Sequence, residues 1–342
     1  MPSICFNADS SLCPMRLDVY ASSVQNISRS RLKSGIKRVA VNGKDAKLSL
    51  RLKGGEEVCI EWEDPVPENI EPENLPLDIL FENEEVTVVN KASGMVTHPG
   101  AGNRRHTLVN ALLYHWGRGC VCGASLRPGI VHRLDKDTSG VLIAAKNRDA
   151  EVFLQSEFKN RRVKKEYIAI VSGHPPALEG EIKNHLCRSS SNRKRFTVSP
   201  DDETGKFAHT RYRCVGIYGP YSLMRIRIKT GRTHQIRVHM KYLGCPVLGD
   251  CVYGKKDARF PDAALMLHAY KLAVRLPPRA SDPAPFNPGG GPLKSACSRD
   301  TPAVFTAPVP DRFKKVLKVL HAEYRAEHLA SVSSKKLKRP RI

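Results

Sequence analysis

Two aspartates stand among cations in residues 129–147, whose sequence is GIVHRLDKDTSGVLIAAKN. Asp135 and Asp137 alternate with Arg133 and Lys136, and the apolar stretch that follows is typical of a buried strand. A carboxylate among fixed cations, on a loop anchored by a rigid strand, is held ionised and oriented. That environment suits a nucleophile better than a general acid, which needs a raised pKa. The segment therefore predicts a catalytic site, although Asp137 alone is typical of a turn that bonds its own backbone.

A second polar segment, KTGRTHQIRVHM at residues 229–240, follows a predicted half-buried strand. The strand ends at a Thr-Gly pair, and a helix is predicted to begin near His234 and to stop at Gly244. The junction concentrates five polar side chains: Arg232, His234, Gln235, Arg237 and His239. A metal site is not expected, because none of the candidate histidines has ligand spacing with carboxylates: His98, His132, His234, His239 and His268.

The stretch from Asp135 to Thr138 also resembles the D-x-D-x-T nucleophile loop of magnesium-dependent phosphohydrolases. In those enzymes an apolar strand precedes the motif, whereas here the apolar strand follows it. The sequence contains no phosphate loop, G-x-S-x-G elbow, H-E-x-x-H helix or dinucleotide fingerprint. The residues alone therefore indicate an enzyme that uses a carboxylate and arginines, with no cofactor apparent.

The charge distribution indicates a polyanionic partner. The net charge is +22, and residues 54–90 contain 12 acidic residues and no Lys or Arg, so the positive excess lies in the rest of the chain. Basic runs occur at residues 159–165, 193–195 and 335–341. Each run alone is typical of a solvated surface, but together they favour nucleic acid. A membrane partner is not expected, since no basic amphipathic helix with an aromatic face is present.

Apolar runs and cysteine usage indicate the compartment. No apolar run approaches the roughly 20 residues of a membrane span, and the start of the sequence lacks the pattern of a secretory signal. We therefore expect a cytoplasmic protein whose 10 cysteines are reduced. Cys120 and Cys122 form a single C-x-C with no second pair, so zinc is not expected.

Residues 16–62 are predicted to form a small α/β domain. A short helix at residues 28–36 places Leu32 and Ile36 on one face. A strand, an Asn-Gly hairpin turn and further alternating strands follow. The cations on the remaining surface are expected to bind RNA: Arg29, Arg31, Lys33 and Lys37.

The rest of the chain is predicted to be an α+β domain with a mixed sheet at residues 78–326. Residues 63–77, rich in Pro and Glu, are too polar to bury and are predicted to be a linker. Residues 280–300 are rich in Pro and Gly and are predicted to be a disordered insertion, and residues 327–342 a basic tail. Predicted helices cover residues 107–116, 150–159, 234–243 and 311–324, and predicted strands cover residues 86–90, 141–145, 167–171 and 223–229.

Several of these segments, in this order, resemble the RluA-type pseudouridine synthase family. The stretch GIVHRLDKDTSGVLIAAK resembles the signature of the family, and KTGRTHQIRVHM resembles its arginine motif. Residues 79–100 resemble its first strand and loop, with Ala92 where proline is usual, and residues 164–173 resemble its tyrosine strand. Three later stretches match further motifs: residues 247–254, 267–272 and 305–313.

The resemblance implies a pseudouridine synthase fold with a mixed, largely antiparallel central sheet flanked by helices and loops. It also implies an isomerase that breaks the bond from ribose to the uracil nitrogen, rotates the base and rejoins it through a ring carbon. The reaction involves no redox change and no net hydrolysis, so it needs no cofactor. Asp135 would be the essential carboxylate, acting through a covalent adduct or by abstracting a ribose proton. Arg237 would be its ionic partner, and Tyr167 would stack on the uracil and accept or relay a proton.

The resemblance further implies RNA-binding roles. Arg133 would fill the space left by the extruded uridine or grip a flanking phosphate, and Arg232 would also bind RNA. Residues 16–62 resemble the small RNA-binding domain named after ribosomal protein S-four, which favours large-subunit ribosomal RNA as the substrate. Transfer RNA, or a non-catalytic role in ribosome assembly, are the alternatives. We expect a monomer that binds structured RNA and no membrane.

Overall fold

The chain forms two compact units, residues 1–69 and residues 70–342. The computed structural model describes residues 3–25, 27, 32, 36–62, 70–100, 102–117, 128–192, 195–201, 204–278 and 301–337, with residues 327–337 as backbone only. Each unit has a hydrophobic core of its own. The boundary between the units falls inside the predicted linker, residues 63–77.

The first unit is a small α/β domain. Its elements are β1 (Ser3–Asn7), a 3₁₀ helix (Ser10–Leu12), β2 (Met15–Arg16), α1 (Leu17–Ser23), β3 (Ile36–Val41), β4 (Lys44–Asp45), β5 (Arg51–Leu52) and β6 (Glu57–Trp62). The main sheet has the order β1-β6-β3-β4, and β2 pairs with β5. The predicted Asn-Gly turn is confirmed, because Asn42 and Gly43 connect β3 to β4 with φ of 50° and 76°.

Two features of this unit differ from the prediction. Ile36, predicted to be in a helix with Leu32, is the first residue of β3, because it pairs with Trp62 on β6. Lys37 therefore lies exposed on a strand. Leu32 is buried as predicted, whereas Arg29, Arg31 and Lys33 lie outside the described residues. The unit also includes β1, which lies before the predicted start at residue 16 and pairs with β6.

The prediction that every cysteine is reduced is wrong for one pair. Cys5 and Cys59 form a disulfide bond. They lie directly opposite each other on the antiparallel strands β1 and β6, with 4.2 Å between their Cα atoms. The antiparallel pairing of the two strands brings these two side chains together. They are 54 residues apart in sequence, so their spacing gave no sign of the pairing.

The second unit is built on one large sheet. Its strands are β7 (Ile79–Glu82), β8 (Val86–Lys91), β9 (Ser139–Ala145), β10 (Lys164–Ser172), β11 (Glu179–Arg188), β12 (Phe196–Val198), β13 (Lys206–Tyr218), β14 (Tyr221–Ile228), β15 (Leu267–Val274) and β16 (Ala303–Thr306). Their order is β12-β11-β13-β14-β10-β15-β9-β8-β7, with β16 also paired to β15. Among the described strands only β9 and β15 pair in parallel. The expected mixed, largely antiparallel sheet is confirmed.

Among the residues that the structure describes, four helices accompany this sheet: α2 (Leu108–Trp116), α3 (Arg148–Lys159), α4 (Gln235–Tyr242) and α5 (Asp311–Leu337). Local capping explains where two of them begin, because Thr107 and Asn110 form a capping box and the Asn147 side chain accepts from the Ala150 backbone N–H. All four predicted helices are confirmed. Helix α5 is longer than predicted and continues into the segment expected to be a basic tail. No helix in the described ranges has the length and apolar character needed to cross a membrane.

Part of the predicted linker belongs to the second unit. Ile70 and Leu77 pack against its hydrophobic core, and the Asn110 side chain donates a hydrogen bond to the Glu71 carbonyl. Residues 70–77 are thus attached to the second unit, although none of them is fully buried, whereas residues 63–69 lie outside the described residues. The predicted insertion at residues 280–300 also lies outside them.

Candidate active site

The loop that carries Asp135 is held in place by a buried lysine. Lys91, at the end of β8, is 1% exposed. Its Nζ donates to the carbonyl oxygens of Ala92, Met95 and Lys136 at 2.7, 2.8 and 3.0 Å. An ammonium group has three donors, so these bonds use all of them. Burial lowers the pKa of Lys91 to about 7. Lys91 therefore tethers the aspartate loop to the neighbouring segment, a role that the sequence did not predict.

Three further bonds attach the same loop to residues 93–97. The Thr97 hydroxyl donates to the Leu134 carbonyl at 2.8 Å, and the Ser93 hydroxyl donates to the Asp137 carbonyl at 2.7 Å. The backbone N–H of Gly94 donates to the carbonyl of Lys136. On the other side the chain enters β9, whose residues are all buried. The backbone on both sides of Asp135 is thus held by a packed strand and a hydrogen-bonded loop.

The expected contact between Asp135 and Arg237 is present, and a second aspartate supports it. Arg237 Nη1 lies 3.3 Å from Asp135 Oδ2. Its Nε and Nη2 make a bidentate pair with Asp250 at 2.7 and 2.9 Å. Asp250 Oδ1 also accepts the backbone N–H groups of Val252 and Tyr253. Asp250 therefore holds the guanidinium, which presents its remaining edge to Asp135.

The pair of Arg237 and Asp250 is ionised in the folded state. Burial alone lowers the pKa of Arg237, but the hydrogen bonds and charges of Asp250 and Asp135 raise it above its ordinary value. Burial raises the pKa of Asp250, yet the bonds from Arg237 and from the backbone lower it below its ordinary value. The Asp250 side chain is 0% exposed. Removing either partner would leave a buried charge without compensation.

His234 lies close to Asp135 and is within hydrogen-bonding distance of Tyr253. His234 precedes α4 with φ of 56° and ψ of 17°, a left-handed conformation that a residue with a side chain rarely adopts. Its Nε2 lies 3.9 Å from Asp135 Oδ2, and its Nδ1 lies 2.9 Å from the Tyr253 hydroxyl. That hydroxyl accepts from the Phe196 backbone N–H. Burial lowers the pKa of His234, so a neutral imidazole faces the carboxylate.

Tyr167 lies on β10, beside the same carboxylate. The residue is 8% exposed, between Ile226 on β14 and Ala269 on β15. Burial, with a contribution from the negative charge of Asp135, raises the pKa of its hydroxyl above the ordinary value. Tyr167 therefore keeps its proton and offers a hydrogen-bond donor and an apolar ring.

These side chains meet in one cavity of about 500 Å³. Its lining includes the three predicted catalytic residues and the two RNA-binding residues predicted in this unit: Asp135, Tyr167, Arg237, Arg133 and Arg232. Arg133 is exposed, and the Nε of Arg232 donates to the Phe207 carbonyl at 2.9 Å. The volume lies within the range of sites that bind small molecules. Lys37 belongs to the other unit.

Several residues of this site were not predicted from the sequence. Lys165 lines the cavity, and burial together with the charge of Arg232 lowers its pKa to about 8. Asp250 and Tyr253 stand in the stretch VLGDCVYG, which resembles a family motif but by itself predicts no role for either residue. An aspartate and a tyrosine within one short motif were the available signal for a supporting role.

The five candidate histidines do not form a metal site. His132 Nε2 accepts from the Ile143 backbone N–H, and burial lowers the pKa of His132 to about 3. His239 lies within hydrogen-bonding distance of Thr210 and Asn184. Within the described residues, no group of three or more His, Cys, Asp or Glu is arranged to hold a metal ion.

Comparison with known proteins gives the class. The sequence model of the family described as RNA pseudouridylate synthase matches residues 85–242. A Borreliella burgdorferi protein named ribosomal large subunit pseudouridine synthase D is 44% identical, over 76% of this chain and 82% of that protein. A Zymomonas mobilis protein of the same name is 44% identical, over 70% of this chain and 77% of that protein. The chain belongs to the RluA-type pseudouridine synthase family, and it is an RNA pseudouridine synthase.

A solved structure agrees with this assignment at the level of the fold. Human RNA pseudouridylate synthase domain containing 4 superposes with a TM-score of 0.51 at 22% identity, covering 71% of this chain and 93% of that chain. Because the chain belongs to this family, we reject the interpretation as a phosphohydrolase, which rested on the four residues from Asp135 to Thr138.

Proposed function

We propose that this chain converts uridine to pseudouridine in large-subunit ribosomal RNA, with Asp135 as the catalytic carboxylate. The observation that carries the proposal is the position of Asp135 in the cavity, 3.3 Å from an arginine that Asp250 fixes. The names of the relatives from Borreliella burgdorferi and Zymomonas mobilis support the choice of RNA. We further propose that the protein acts in the cytoplasm, as a monomer, without a cofactor or a membrane partner.

The reaction is an isomerisation in which atoms and electrons balance within the substrate. The bond from ribose C1′ to uracil N1 breaks, and a bond from C1′ to uracil C5 forms. The proton of C5 is lost and N1 gains one, so no oxidant or reductant takes part. Asp135 either attacks the sugar to form an adduct or removes a ribose proton. In both routes the Arg237 guanidinium orients the carboxylate at the cavity wall.

The uracil must leave the helical stack before it can rotate. The cavity of about 500 Å³ is the space proposed for the extruded base. Tyr167 supplies a ring at its wall, and its protonated hydroxyl donates to a uracil oxygen during the rotation. Arg133 and Arg232 bind the flanking phosphates or occupy the vacated place in the helix, which offsets the cost of unstacking.

The first unit is proposed to be an RNA-binding domain like that of ribosomal protein S-four. Residues 16–53 contain 10 basic and 2 acidic residues. Lys37 is exposed on β3, and Arg29, Arg31 and Lys33 are proposed to contact RNA with it. Such a basic module raises the local concentration of RNA near the second unit.

The experiment that tests the function is tritium release from RNA labelled at uracil C5. Purified protein is incubated with a large-subunit ribosomal RNA transcript and, separately, with a mixture of transfer RNA transcripts. We expect stoichiometric release from the ribosomal transcript alone. Release from transfer RNA alone would contradict the proposed substrate, and release from neither RNA would contradict the proposed activity on these substrates.

The Tyr167→Phe variant separates the role of the ring from that of the hydroxyl. We expect single-turnover release to slow by roughly 10²-fold, the effect of losing one acid–base or donor group, while the dissociation constant for RNA stays within a few-fold. The ring is retained, so the buried packing beside Ile226 is kept. Equal rates for the variant and the wild type would limit Tyr167 to a packing or stacking role.

Deleting residues 1–69 tests the proposed RNA-binding unit. The truncated chain retains the cavity, so single-turnover release at saturating RNA should persist. Affinity should fall, and the slope of log K against log salt should become shallower by about 0.7–0.9 for each phosphate that the unit no longer neutralises. Circular dichroism checks that the truncated chain is folded. Coincident salt slopes would contradict an RNA-binding role for the unit.

A further inference from the structure

Four arginines oppose one another on the exposed side of β13 and β14. In the register of the two strands, Arg211 lies directly opposite Arg227, and Arg213 lies directly opposite Arg225. Like charges at directly opposed positions destabilise a sheet. We call Arg211, Arg213, Arg225 and Arg227 the arginine face. Carboxylates on the neighbouring strands offset part of this repulsion, since Glu181 and Glu179 lie opposite Arg211 and Arg213, and Glu166 lies opposite Arg227. Four guanidinium groups on one exposed surface are nevertheless a reason to look for an anionic ligand.

The arginine face lies on the reverse side of the sheet from the catalytic cavity. Successive side chains of a strand point to opposite sides. Ile228 lines the cavity, and the preceding residue, Arg227, is 63% exposed in its side chain. On β10, Tyr167 likewise lines the cavity, whereas the preceding Glu166 bonds to two of the arginines. The arginine face is therefore not an extension of the active site.

Carboxylates orient the arginine face without neutralising it. Glu166 is 5% exposed and accepts the Nε–H groups of Arg225 and Arg227 at 2.6 and 2.8 Å. Arg211 Nε lies 2.5 Å from Glu181. A guanidinium has four N–H donors besides Nε. The bonds through Nε thus fix the planes of the guanidinium groups and leave donors directed elsewhere.

The charge balance on this surface is positive. Arg213 has no carboxylate within salt-bridge distance among the described residues. The four arginines line a shallow cavity of about 490 Å³ together with Glu179 and Glu181. Glu166 is the third carboxylate that faces them. Four guanidinium groups against three carboxylates form a surface suited to an anion that offers several oxygens.

We propose that the arginine face binds the phosphate backbone of a second segment of the substrate RNA, away from the uridine in the cavity. The proposal rests on the proposed function, because it assumes that the protein acts on a large structured RNA. Planar guanidinium groups match phosphate oxygens in bidentate geometry. The net charge of +22 favours a nucleic acid over an acidic protein. Binding at the arginine face increases affinity for a folded RNA without reading its sequence.

The test uses the double variant Arg211→Gln/Arg213→Gln in the full-length chain. These two positions are chosen because Arg225 and Arg227 support the buried Glu166, and their loss would disturb folding. Binding is measured across a salt series with two RNAs. One is a large-subunit ribosomal transcript, and the other is a short stem-loop from that transcript that contains the uridine modified by the wild type. For the long transcript we expect the slope of log K against log salt to become shallower by roughly 1.4–1.8, because two phosphates are no longer neutralised. For the stem-loop we expect no change.

A matched control removes the same charge elsewhere. Lys315 and Lys318 are exposed on α5, and the Lys315→Gln/Lys318→Gln variant should keep the wild-type slope on both RNAs. Equal slopes for the arginine variant and the wild type on the long transcript would overturn the proposal. An equal loss on the stem-loop would also overturn it, by placing the effect at the active site. If the arginine variant lost binding to poly-glutamate but bound RNA as the wild type does, the partner would be an acidic protein and the proposal would be overturned.

The proposed function and the role of the arginine face fail separately. If the wild type releases no tritium from either RNA, the proposed function fails, whatever the salt slopes are. If the wild type modifies both RNAs and the arginine variant behaves as the wild type does, only the arginine face is excluded. Single-turnover release by the arginine variant at saturating stem-loop should equal that of the wild type, because all the cavity residues are intact.

Discussion

An Asp135→Asn variant is expected to lose tritium release while still binding RNA. The amide keeps the shape of the side chain but removes the anion that attacks the sugar or accepts its proton. The rate should fall by at least roughly 10²–10⁴-fold, the contribution of a positioned acid–base group. The dissociation constant for RNA should stay within a few-fold, because the Asp135 side chain is only 19% exposed and the substitution preserves its volume. Single-turnover release and filter binding, measured on the same preparation, report the two quantities.

Asp137→Asn is the matched control for this variant. It removes the same charge two residues away, and the hydrogen bond from the Ser93 hydroxyl goes to the Asp137 carbonyl, which the substitution leaves in place. We expect this control to retain most of the wild-type rate. Comparable activity in the Asp135 and Asp137 variants would contradict the assignment of Asp135 as the catalytic carboxylate.

Arg237→Met is expected to reduce both activity and stability. Asp135 loses the guanidinium that orients it, and Asp250 becomes a buried carboxylate without its partner. Breaking a buried ion pair on one side destabilises by about 3–5 kcal/mol. Denaturant unfolding at neutral pH measures this loss of the free energy of unfolding. Single-turnover release at a temperature where the variant is folded measures the effect on catalysis separately.

The loss of stability should depend on pH with a defined sign. In the wild type the pKa of Asp250 is lowered, although burial acts to raise it, because Arg237 and the backbone bond to it. Its contribution to stability is therefore present above the ordinary carboxylate pKa and is lost as the pH falls through the lowered value. In Arg237→Met, burial raises the pKa of Asp250, so protonation relieves the unpaired charge. The difference in stability between the two proteins should shrink on acidification.

The double variant Arg237→Met/Asp250→Asn is the control for this explanation. Removing the second charge should restore part of the stability lost in Arg237→Met, but it should restore no activity, because Asp135 still lacks the guanidinium. The account of the buried pair would be contradicted if the double variant were as unstable as Arg237→Met and its stability depended on pH in the same way.

The residues proposed to be catalytic could be selected from the sequence, but their supports could not. Asp135, Tyr167 and Arg237 stood in motifs that resemble a family, and they line one cavity. The bond between Arg237 and Asp135 joins residues 102 positions apart, so local spacing gives no distance between them. Asp250 and Lys91 act through buried hydrogen bonds to the arginine and to the aspartate loop. Such bonds depend on the three-dimensional packing of strands and loops. The apolar periodicity of the sequence does not predict this packing.

The fold shows the same division between local and long-range information. Helix α2 was predictable because the cap at Thr107 and the stop at Gly117 are local signals. Strand β11 is not predicted from its sequence, EGEIKNHLCR, because the sequence is largely polar and Asn184 occupies one of the three buried positions. Ile36 was assigned to a helix from its spacing to Leu32, yet pairing with Trp62 makes it part of a strand. Tertiary pairing overrides short apolar spacing of this kind.

Mapping pseudouridines in total RNA tests the central claim most directly. The comparison uses cells that lack this protein, complemented either with the wild type or with Asp135→Asn, whose expression is matched by immunoblot. We predict that one or more positions in large-subunit ribosomal RNA are pseudouridine only with the wild type, while transfer RNA is unchanged. Identical maps in the two strains, or a difference confined to transfer RNA, would contradict the claim that Asp135 of this chain modifies large-subunit ribosomal RNA.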